Sequence, residues 1–517
     1  MFRAENALAD LLKGRPILLA ALAALFAAAM SAFLGQRVFG GVPHVADGVS
    51  YAFQGKIFAA GRLWLEPPLV LDAFKSQNVL LTATRWCSPY PPGYPLLLAA
   101  GWLAGVPFLV NPVLLGLAVL GVFRLGTVLY DETTGLLGAV LLAVSPFALL
   151  IGAGFMVHAS GLCVLTWCLA FLAEGLTKGG ARAFIVSGFL GVFGVVVRPQ
   201  AAVLFLLPAL VAVLVARRKE LPRSIGLLVL GGAAPLAFLL AVNDALSGNP
   251  LRIGYSVHDP NLSLSPASFM FGFSPSQLFW SHFPWYLHDL GATVWGFPWG
   301  DLTPLALLLI PAPGRRRDAW LAACAFALIA GFSFFRFYDI SHSGPRYAFE
   351  ALGALALLVA RAVHKAGGLA VSLLGRLRLE RFAVGAGALA MGCLAVFPLA
   401  TLLPRQAEAL SHAYHAHTGE PLSRLAMAGV GPSALVLVAG NTAEWTYGSF
   451  LLENGPDPRR APRVFVRDLP GKRAELLAAY PRPEVWRVNV TLRPLPHPNA
   501  WIDNTWDVVD IAWTRLR

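Results

Sequence analysis

Asp47 is the residue whose type and surroundings are best suited to acid–base chemistry. It lies in the stretch GGVPHVADGVSYAFQGKIFAAGRLW, directly after the first long apolar run. We read this stretch as an amphipathic helix, one face of which would hold four residues: Asp47, Tyr51, Gln54 and Phe58. A carboxylate at a membrane surface can take a proton from an acceptor group. A solvated charge or a helix cap is the alternative.

Two arginines are candidates for binding a phosphate group. Arg198, in VVRPQ, and Arg346, in SGPRYAFE, lie at the ends of apolar runs, and Tyr347 follows Arg346. A guanidinium group can hold phosphate oxygens with two parallel hydrogen bonds. The alternative for each arginine is contact with lipid phosphates at the membrane surface.

Lys56 and His158 are two further candidates for binding a substrate. Lys56 lies almost opposite Asp47 on the expected helix, where a solvated charge is the alternative. His158, in GFMVHASG, could orient an acceptor or help to bind a metal, and a structural histidine is the alternative.

The composition predicts a polytopic α-helical membrane protein. Hydrophobic residues make up 57% of the 517 residues, charged residues make up 13%, and the mean hydropathy is +0.63. The core of a soluble domain could not bury so much apolar surface. The net charge of +12 comes from short basic clusters between apolar runs. Such clusters orient spans and contact membrane lipids, so we do not expect nucleic-acid binding.

Apolar runs of about 20 residues, the length that a bilayer requires, predict eleven membrane spans. They lie near 16–35, 110–129, 135–154, 160–176, 183–199, 200–216, 225–243, 291–311, 319–336, 347–363 and 383–403. We expect the first run to be a retained span. Basic loops alternate correctly if the N-terminus is cytoplasmic. This topology makes 94–108 a shallow or re-entrant helix and places the candidate residues on the outer side.

Two segments outside the spans are expected to fold. The outer loop 36–109 is interrupted by YPPGYP, so it cannot be one helix. The tail 404–517 is richer in charge, glycine and proline than the membrane domain 1–403. Short apolar stretches at 434–440, 463–469 and 484–490 alternate with helix-like stretches there. This alternation predicts a small α/β extracytoplasmic domain.

The sequence contains no clear framework for a disulfide or a metal. Four of the five cysteines lie in apolar runs, and Cys87 stands alone in a polar loop. A divalent metal stays possible, but hard cations prefer several oxygen ligands. The other outer carboxylates have no spacing that singles one out: Glu66, Asp72, Asp259 and Asp339.

The ordered set of motifs resembles the GT-C membrane glycosyltransferases. The resemblance is to the group that includes protein O-mannosyltransferases and bacterial aminoarabinose transferases of lipid A, the family 39 type. It extends over roughly 40–360 and depends on five stretches in order: ADGVSYAFQGKIFAAGRL, SPYPPGYPLLLA, VSPFALLIGAGFMVHASG, VVRPQ and SGPRYAFE. One departure stands out, because several members have a second acid in the second outer loop and GFMVHASG has none.

The resemblance implies an inverting sugar transfer with Asp47 as the base. The donor would be a polyprenyl-phosphate sugar, and the acceptor a lipid, a glycan or a protein at the outer face of the bacterial inner membrane. No cofactor is certain. Candidates for binding the donor or the acceptor are Tyr51, Gln54, Lys56, His158, Arg198, Arg346 and Tyr347.

Two other functions stay open from the sequence. A transporter or flippase of lipid-linked sugars would also have many spans and outer arginines, but it should have acids or broken helices near mid-span. The span interiors are nearly free of charge, which favours chemistry at the interface. A non-catalytic envelope assembly protein would instead use the tail to bind a partner.

Overall fold

Apolar helices and one mixed β-sheet form the structure, a computed structural model of the chain. It describes residues 15–258, 270, 273–296, 314–335, 344–375, 392–393, 396–414, 416–495 and 505–517. The predicted span near 291–311 lies largely outside the described residues, and so does the first half of the span near 383–403. Asp259 and Asp339 also lie outside them.

The N-terminal half is mostly helical outside the outer loop. Its helices are α1 (Pro16–Arg37), α2 (Ala46–Ala59), α3 (Gly93–Leu103), α4 (Val110–Leu129), α5 (Glu132–Ala143), α6 (Pro146–Ala153), α7 (His158–Lys178), α8 (Ala181–Val197), α9 (Pro199–Ala216) and α10 (Leu221–Ser247). A short hairpin of β1 (Leu80–Leu81) and β2 (Trp86–Cys87) lies in the outer loop.

The remaining helices follow Ser247 in the chain. They are α11 (Gly254–His258), α12 (Pro275–Val294), α13 (Arg315–Phe332), α14 (Leu352–Gly375), α15 (Leu403–Leu410), α16 (Glu420–Ser423), α17 (Ala443–Leu451) and α18 (Arg473–Ala479). A 3₁₀ turn, Arg346–Ala351, leads directly into α14.

Six helices of the described chain are long and apolar enough to cross a membrane. They are Pro16–Arg37, Pro107–Leu129, His158–Lys178, Pro199–Ala216, Arg218–Ser247 and Arg346–Ser372, and the bent pair α5–α6 would make seven. The protein is therefore an integral membrane protein. Helices α8 and α13 cover two more predicted spans, and α3, with 11 residues, is too short to cross. The count of eleven spans stays a prediction.

The predicted span near 135–154 is a bent pair of helices. Helices α5 and α6 meet at an angle of 60°. Pro146 begins α6, and the Ser145 hydroxyl accepts a hydrogen bond from the Ala148 amide at 3.3 Å. Proline disfavours helical geometry in the residue before it, and a serine cap starts a new helix. The bend brings α6 onto α1, where the Ser31 hydroxyl donates to the Leu149 carbonyl at 2.9 Å.

Helix α2 forms as predicted, but it is not an amphipathic surface helix. Most of its residues are buried, on more than one face: Ala46, Gly48, Val49, Ser50, Tyr51, Ala52, Phe53, Gln54, Gly55 and Ile57. Small side chains allow this close packing, because a Cβ on Gly55 would lie 2.7 Å from Leu98 Cβ. The outer loop and the tail cover the face that the sequence suggested was exposed to water.

The tail forms a sheet whose order is β3-β7-β6-β4-β5. The three predicted strands are confirmed as β4 (Ala434–Gly440), β5 (Val464–Arg467) and β6 (Glu484–Pro494), with β4 parallel to both neighbours. Two antiparallel strands, β3 (Ala413–Tyr414) and β7 (Thr505–Arg515), were not predicted.

A bulge explains why β7 is hard to recognise. Register shifts between Thr491 and Leu492, so that Asp510 pairs with Thr491 while Val508 pairs with Leu492. Val509 is the extra residue, and it disrupts the alternation of apolar and polar residues that identifies a strand.

The outer loop and the tail share a hydrophobic core. Val49, Phe74 and Leu98 from the loop are buried in the same cluster as Leu437 and Phe450 from the sheet region. The boundary between 403 and 404 stays a prediction, and the shared core shows that the two sides of it are packed together.

Candidate active site

The Asp47 carboxylate is held by three side chains from different parts of the chain. Its Oδ1 atom accepts hydrogen bonds from the Tyr90 hydroxyl at 2.6 Å and from Asn78 Nδ2 at 2.7 Å. Its Oδ2 atom lies 3.3 Å from Arg346 Nη1. The Asp47 side chain is 25% exposed. The carboxylate is thus fixed in place but still accessible from one side.

Aromatic rings surround the buried side of this carboxylate. The Tyr51 ring lies 4.6 Å from Tyr90 and 5.3 Å from Tyr94, and Tyr90 lies 5.2 Å from Tyr255. Burial, followed by the nearby Asp47 charge, raises the pKa of Tyr90 well above its usual value. Tyr90 therefore stays protonated and donates to Asp47. Burial also raises the pKa of Tyr51, which remains a neutral phenol.

A second carboxylate, Glu350, lies beside the other predicted arginine. Arg198 Nη1 donates to both Glu350 carboxylate oxygens at 2.6 Å. The same nitrogen lies 2.8 Å from His158 Nδ1, and His158 Nδ1 lies 3.5 Å from Glu350 Oε1. All three residues are buried. His158 and Arg198 thus contact each other and Glu350 inside the protein.

The Tyr347 ring connects the two arginines. The Arg198 guanidinium carbon lies 5.5 Å from the ring centre, and that of Arg346 lies 5.1 Å from it. Both distances are in the range of a cation–π contact. Two carboxylates and two guanidinium groups therefore form one charge-balanced cluster that contains Asp47.

Interruptions of helical geometry place the two arginines at the ends of helices. Arg198 lies between α8 and α9 with φ −152° and ψ 85°, and Pro199 begins α9. Proline disfavours helix geometry in the residue before it, which explains the break at Arg198. Arg346 instead begins the 3₁₀ turn Arg346–Ala351, directly after Pro345.

Gly161, in the first turn of α7, makes room for Glu350. A Cβ at this position would lie 2.7 Å from Glu350 Oε1. Any larger residue would push the carboxylate away from Arg198.

Two predicted binding residues have other partners. Gln54 spans the outer loop, because its Nε2 donates to the Leu63 carbonyl at 2.9 Å and its Oε1 accepts from the Ser88 amide at 2.9 Å. Lys56 Nζ donates to the carbonyls of Leu452 and Asn454 at 2.6 and 2.9 Å. The structure thus unites Asp47, Tyr51, Arg346 and Tyr347, with Arg198 and His158 adjoining them, but it places Lys56 against the tail.

Sequence reasoning missed three residues of the site: Asn78, Tyr90 and Glu350. Tyr90 and Glu350 both belong to motifs that we singled out, YPPGYP and SGPRYAFE, but we gave neither residue a role of its own. A carboxylate directly beside an apolar span was a usable signal for Glu350, because such a charge requires a partner. Nothing local distinguishes Asn78.

Other outer carboxylates have surface roles. Glu66 pairs with Arg459 at 2.9 Å, and Asp72 pairs with Lys75 and Lys472. Over the part of the chain that the structure describes, no group of three or more His, Cys, Asp or Glu side chains could hold a metal ion.

The overall architecture matches that of a solved membrane protein. ArnT from Cupriavidus metallidurans bound to undecaprenyl phosphate aligns with a TM-score of 0.54 at 15% identity, covering 95% of this chain and 96% of that chain. This chain has the fold of that protein. The same protein in the apo state aligns with this chain with a TM-score of 0.52 at 13% identity, covering 92% of each chain.

Sequence similarity supports the fold over a shorter region. Residues 100–242 match the family model described as dolichyl-phosphate-mannose-protein mannosyltransferase. This match includes His158 and Arg198 but ends before Arg346 and begins after Asp47. No curated protein matches the chain in sequence. The predicted resemblance to the GT-C group is confirmed.

Proposed function

We propose that this protein transfers a sugar from a polyprenyl-phosphate-linked donor to an acceptor at the outer face of the membrane. The observation that carries the proposal is the contact between Asp47 and Arg346 at 3.3 Å. It places a candidate base next to a candidate phosphate-binding cation, at a partly exposed point beside the spans.

Each group has a defined task in an inverting transfer. Asp47 takes the proton of the acceptor as the acceptor atom forms a bond to the anomeric carbon. The bond between that carbon and the phosphate oxygen breaks, and the electron pair leaves with the polyprenyl phosphate. Arg346 and Arg198 stabilise the charge that develops on this leaving group. A phosphate leaving group needs no general acid.

Two findings on similar proteins support the choice of donor. The ArnT structure with a similar fold is bound to undecaprenyl phosphate, and the family model over residues 100–242 is described by a dolichyl-phosphate mannose donor. Both ligands join a phosphate to a long isoprenoid chain. The identity of the sugar and of the acceptor does not follow from these likenesses.

One observation favours a lipid-linked sugar flippase as a second candidate. Buried acids are present among the described helices, but they lie at the ends of the predicted spans: Glu350 in the turn that leads into α14, and Asp318, paired with Lys365, in the first turn of α13. A broken helix pair, α5–α6, is also present. Glu350 is paired with Arg198, and Asp318 is paired with Lys365. Such buried ion pairs can hold helices together without any role in transport.

A reconstituted assay separates these functions. The purified protein is placed in lipid vesicles with the polyprenyl-phosphate glycans that accumulate when its gene is deleted. We expect sugar to appear on the acceptor with release of free polyprenyl phosphate, and Asp47→Asn to abolish both. Movement of the donor across the bilayer without release of polyprenyl phosphate would identify a flippase. An assembly protein would do neither.

A further inference from the structure

Glu350 and Arg198 form a buried ion pair beside the site. The Glu350 side chain is 0% exposed and that of Arg198 is 11% exposed, and their contact is 2.6 Å. A buried carboxylate without a partner would be strongly destabilising. The pair therefore fixes the position of both side chains.

The hydrogen bonds of Arg198 use one edge of its guanidinium group. Among the described residues, its contacts with Glu350 Oε1, Glu350 Oε2 and His158 Nδ1 all involve Nη1. Atoms Nε and Nη2 form the other edge, a two-pronged donor of the kind that holds a phosphate. Arg198 is thus anchored to Glu350 and His158 through Nη1, while Nε and Nη2 can bind a phosphate.

Two aromatic rings contact the same guanidinium group. Its central carbon lies 5.1 Å from the Phe332 ring centre and 5.5 Å from that of Tyr347. Arg346 lies on the same Tyr347 ring at 5.1 Å and contacts Asp47. An anion beside Tyr347 would be within reach of both arginines.

On this basis, and on the proposed function, we propose that Glu350 is a positioning residue that holds Arg198 for binding the donor phosphate. Glu350 contacts neither substrate directly. It anchors Nη1 and gives Arg198 a carboxylate partner other than Asp47. The two acids are thereby kept to separate tasks, Asp47 for the acceptor proton and Glu350 for the arginine.

Replacing Glu350 with an uncharged residue of the same size tests this role. In Glu350→Gln the anchor loses its charge, so we expect the KM for the donor to rise about tenfold or more, the effect of losing one charged hydrogen bond, with a smaller fall in kcat. Glu350→Asp keeps the charge and should recover part of the loss.

The matched control is Asp318→Asn. Asp318 is another buried acid, and it contacts Lys365 at 2.8 Å, with side chains 6% and 2% exposed. This change should lower the thermal stability while the donor KM stays near the wild-type value. A donor KM in Glu350→Gln within twofold of wild type, or an equal rise in Asp318→Asn, would show that Glu350 only stabilises the bundle.

A double variant covers the case in which Glu350→Gln does not fold. Arg198→Gln with Glu350→Gln removes both charges and leaves two amides that can bond to each other. We expect it to fold but to bind undecaprenyl phosphate at least tenfold more weakly than wild type, measured by protection against thermal unfolding. Binding equal to wild type would overturn the proposal. This readout needs no sugar transfer, so it remains informative if the proposed reaction is wrong.

Discussion

Arg346 Nη1 and Asp47 Oδ2 lie 3.3 Å apart although 299 positions separate the two residues in sequence. Both side chains are partly exposed, 12% for Arg346 and 25% for Asp47. An acid and a cation that meet at an accessible point can share one substrate complex, the acid facing the acceptor and the cation facing the phosphate. Separate effects on turnover and donor binding follow from this arrangement.

Asp47→Asn should abolish most of the transfer while the donor still binds. Asparagine keeps the size and the contact with Asn78 and Tyr90 but cannot take a proton. The transfer rate should fall about 10² to 10⁴-fold, the usual contribution of a general base. Single-turnover transfer and binding of undecaprenyl phosphate measure the two effects.

Asp72→Asn is the control, because Asp72 lies in the same loop but is paired with Lys75 and Lys472. This change should lower the transfer rate far less. A wild-type rate in Asp47→Asn would disprove the mechanism.

Arg346→Lys should weaken use of the donor. Lysine keeps the positive charge but replaces a planar, two-pronged donor with a point charge. We expect the KM for the donor to rise about tenfold, measured in steady-state assays across donor concentrations. Unchanged KM and kcat would mean that Arg346 does not contact the phosphate.

Lys56→Met should loosen the contact between α2 and the tail. The change keeps the aliphatic stem beside Trp102 but removes the hydrogen bonds to the Leu452 and Asn454 carbonyls. We expect a loss of about 2 kcal/mol in stability, because a charged donor to buried carbonyls is lost. Thermal unfolding checks this, and the transfer rate should fall with it since α2 carries Asp47.

The close packing of the tail on α2 supports that expectation. A Cβ on Gly448 would lie 2.7 Å from His417 Nε2 and 3.3 Å from Val49 Cγ2. Lys75→Met is the control, because Lys75 is 58% exposed and pairs only at the surface with Asp72. A higher donor KM in Lys56→Met with unaltered stability would instead indicate that Lys56 binds the donor.

Acid should weaken the contact between the outer loop and the tail at Asp72. Hydrogen bonds from Lys472, and then from Lys75, lower the pKa of Asp72 to about 2. In the unfolded chain the Asp72 carboxyl has its usual pKa of about 4. Above about pH 4 the carboxylate is charged in both states, and its stabilisation of the folded state is complete. Protonation removes it as the pH falls from about 4 toward 2. The wild-type protein should therefore lose stability over this range, and Asp72→Asn should lose less. Identical pH profiles of thermal unfolding would contradict the assignment.

The tail should lie on the outer side of the membrane. The alternation of basic loops puts an odd number of spans between a cytoplasmic N-terminus and the tail. A reporter enzyme fused after Arg517 should be active only if it is one that works outside the cytoplasm. Activity of a cytoplasmic reporter at that position would contradict the prediction that the tail lies on the outer side of the membrane.

Local patterns were sufficient for most of the architecture. Helix α4 begins and ends at the predicted residues, 110 and 129, and β4 matches the predicted 434–440. Apolar length and strand composition are properties of neighbouring residues, so one sequence reveals them. The break at Ser145–Pro146 and the bulge in β7 depend on single residues within otherwise regular patterns, and both were missed.

The sequence by itself determined the class of the protein and singled out three candidate site residues, Asp47, Arg198 and Arg346. Only the tertiary structure decided their partners. Glu350 lies 152 positions from Arg198, so its need for a partner could be read from the sequence but the identity of that partner could not. Lys56, two positions after Gln54, bonds to the tail. A residue's type limits which contacts it can make, but burial and long-range packing select the contact, because a charge removed from water is stable only where the fold brings it a partner.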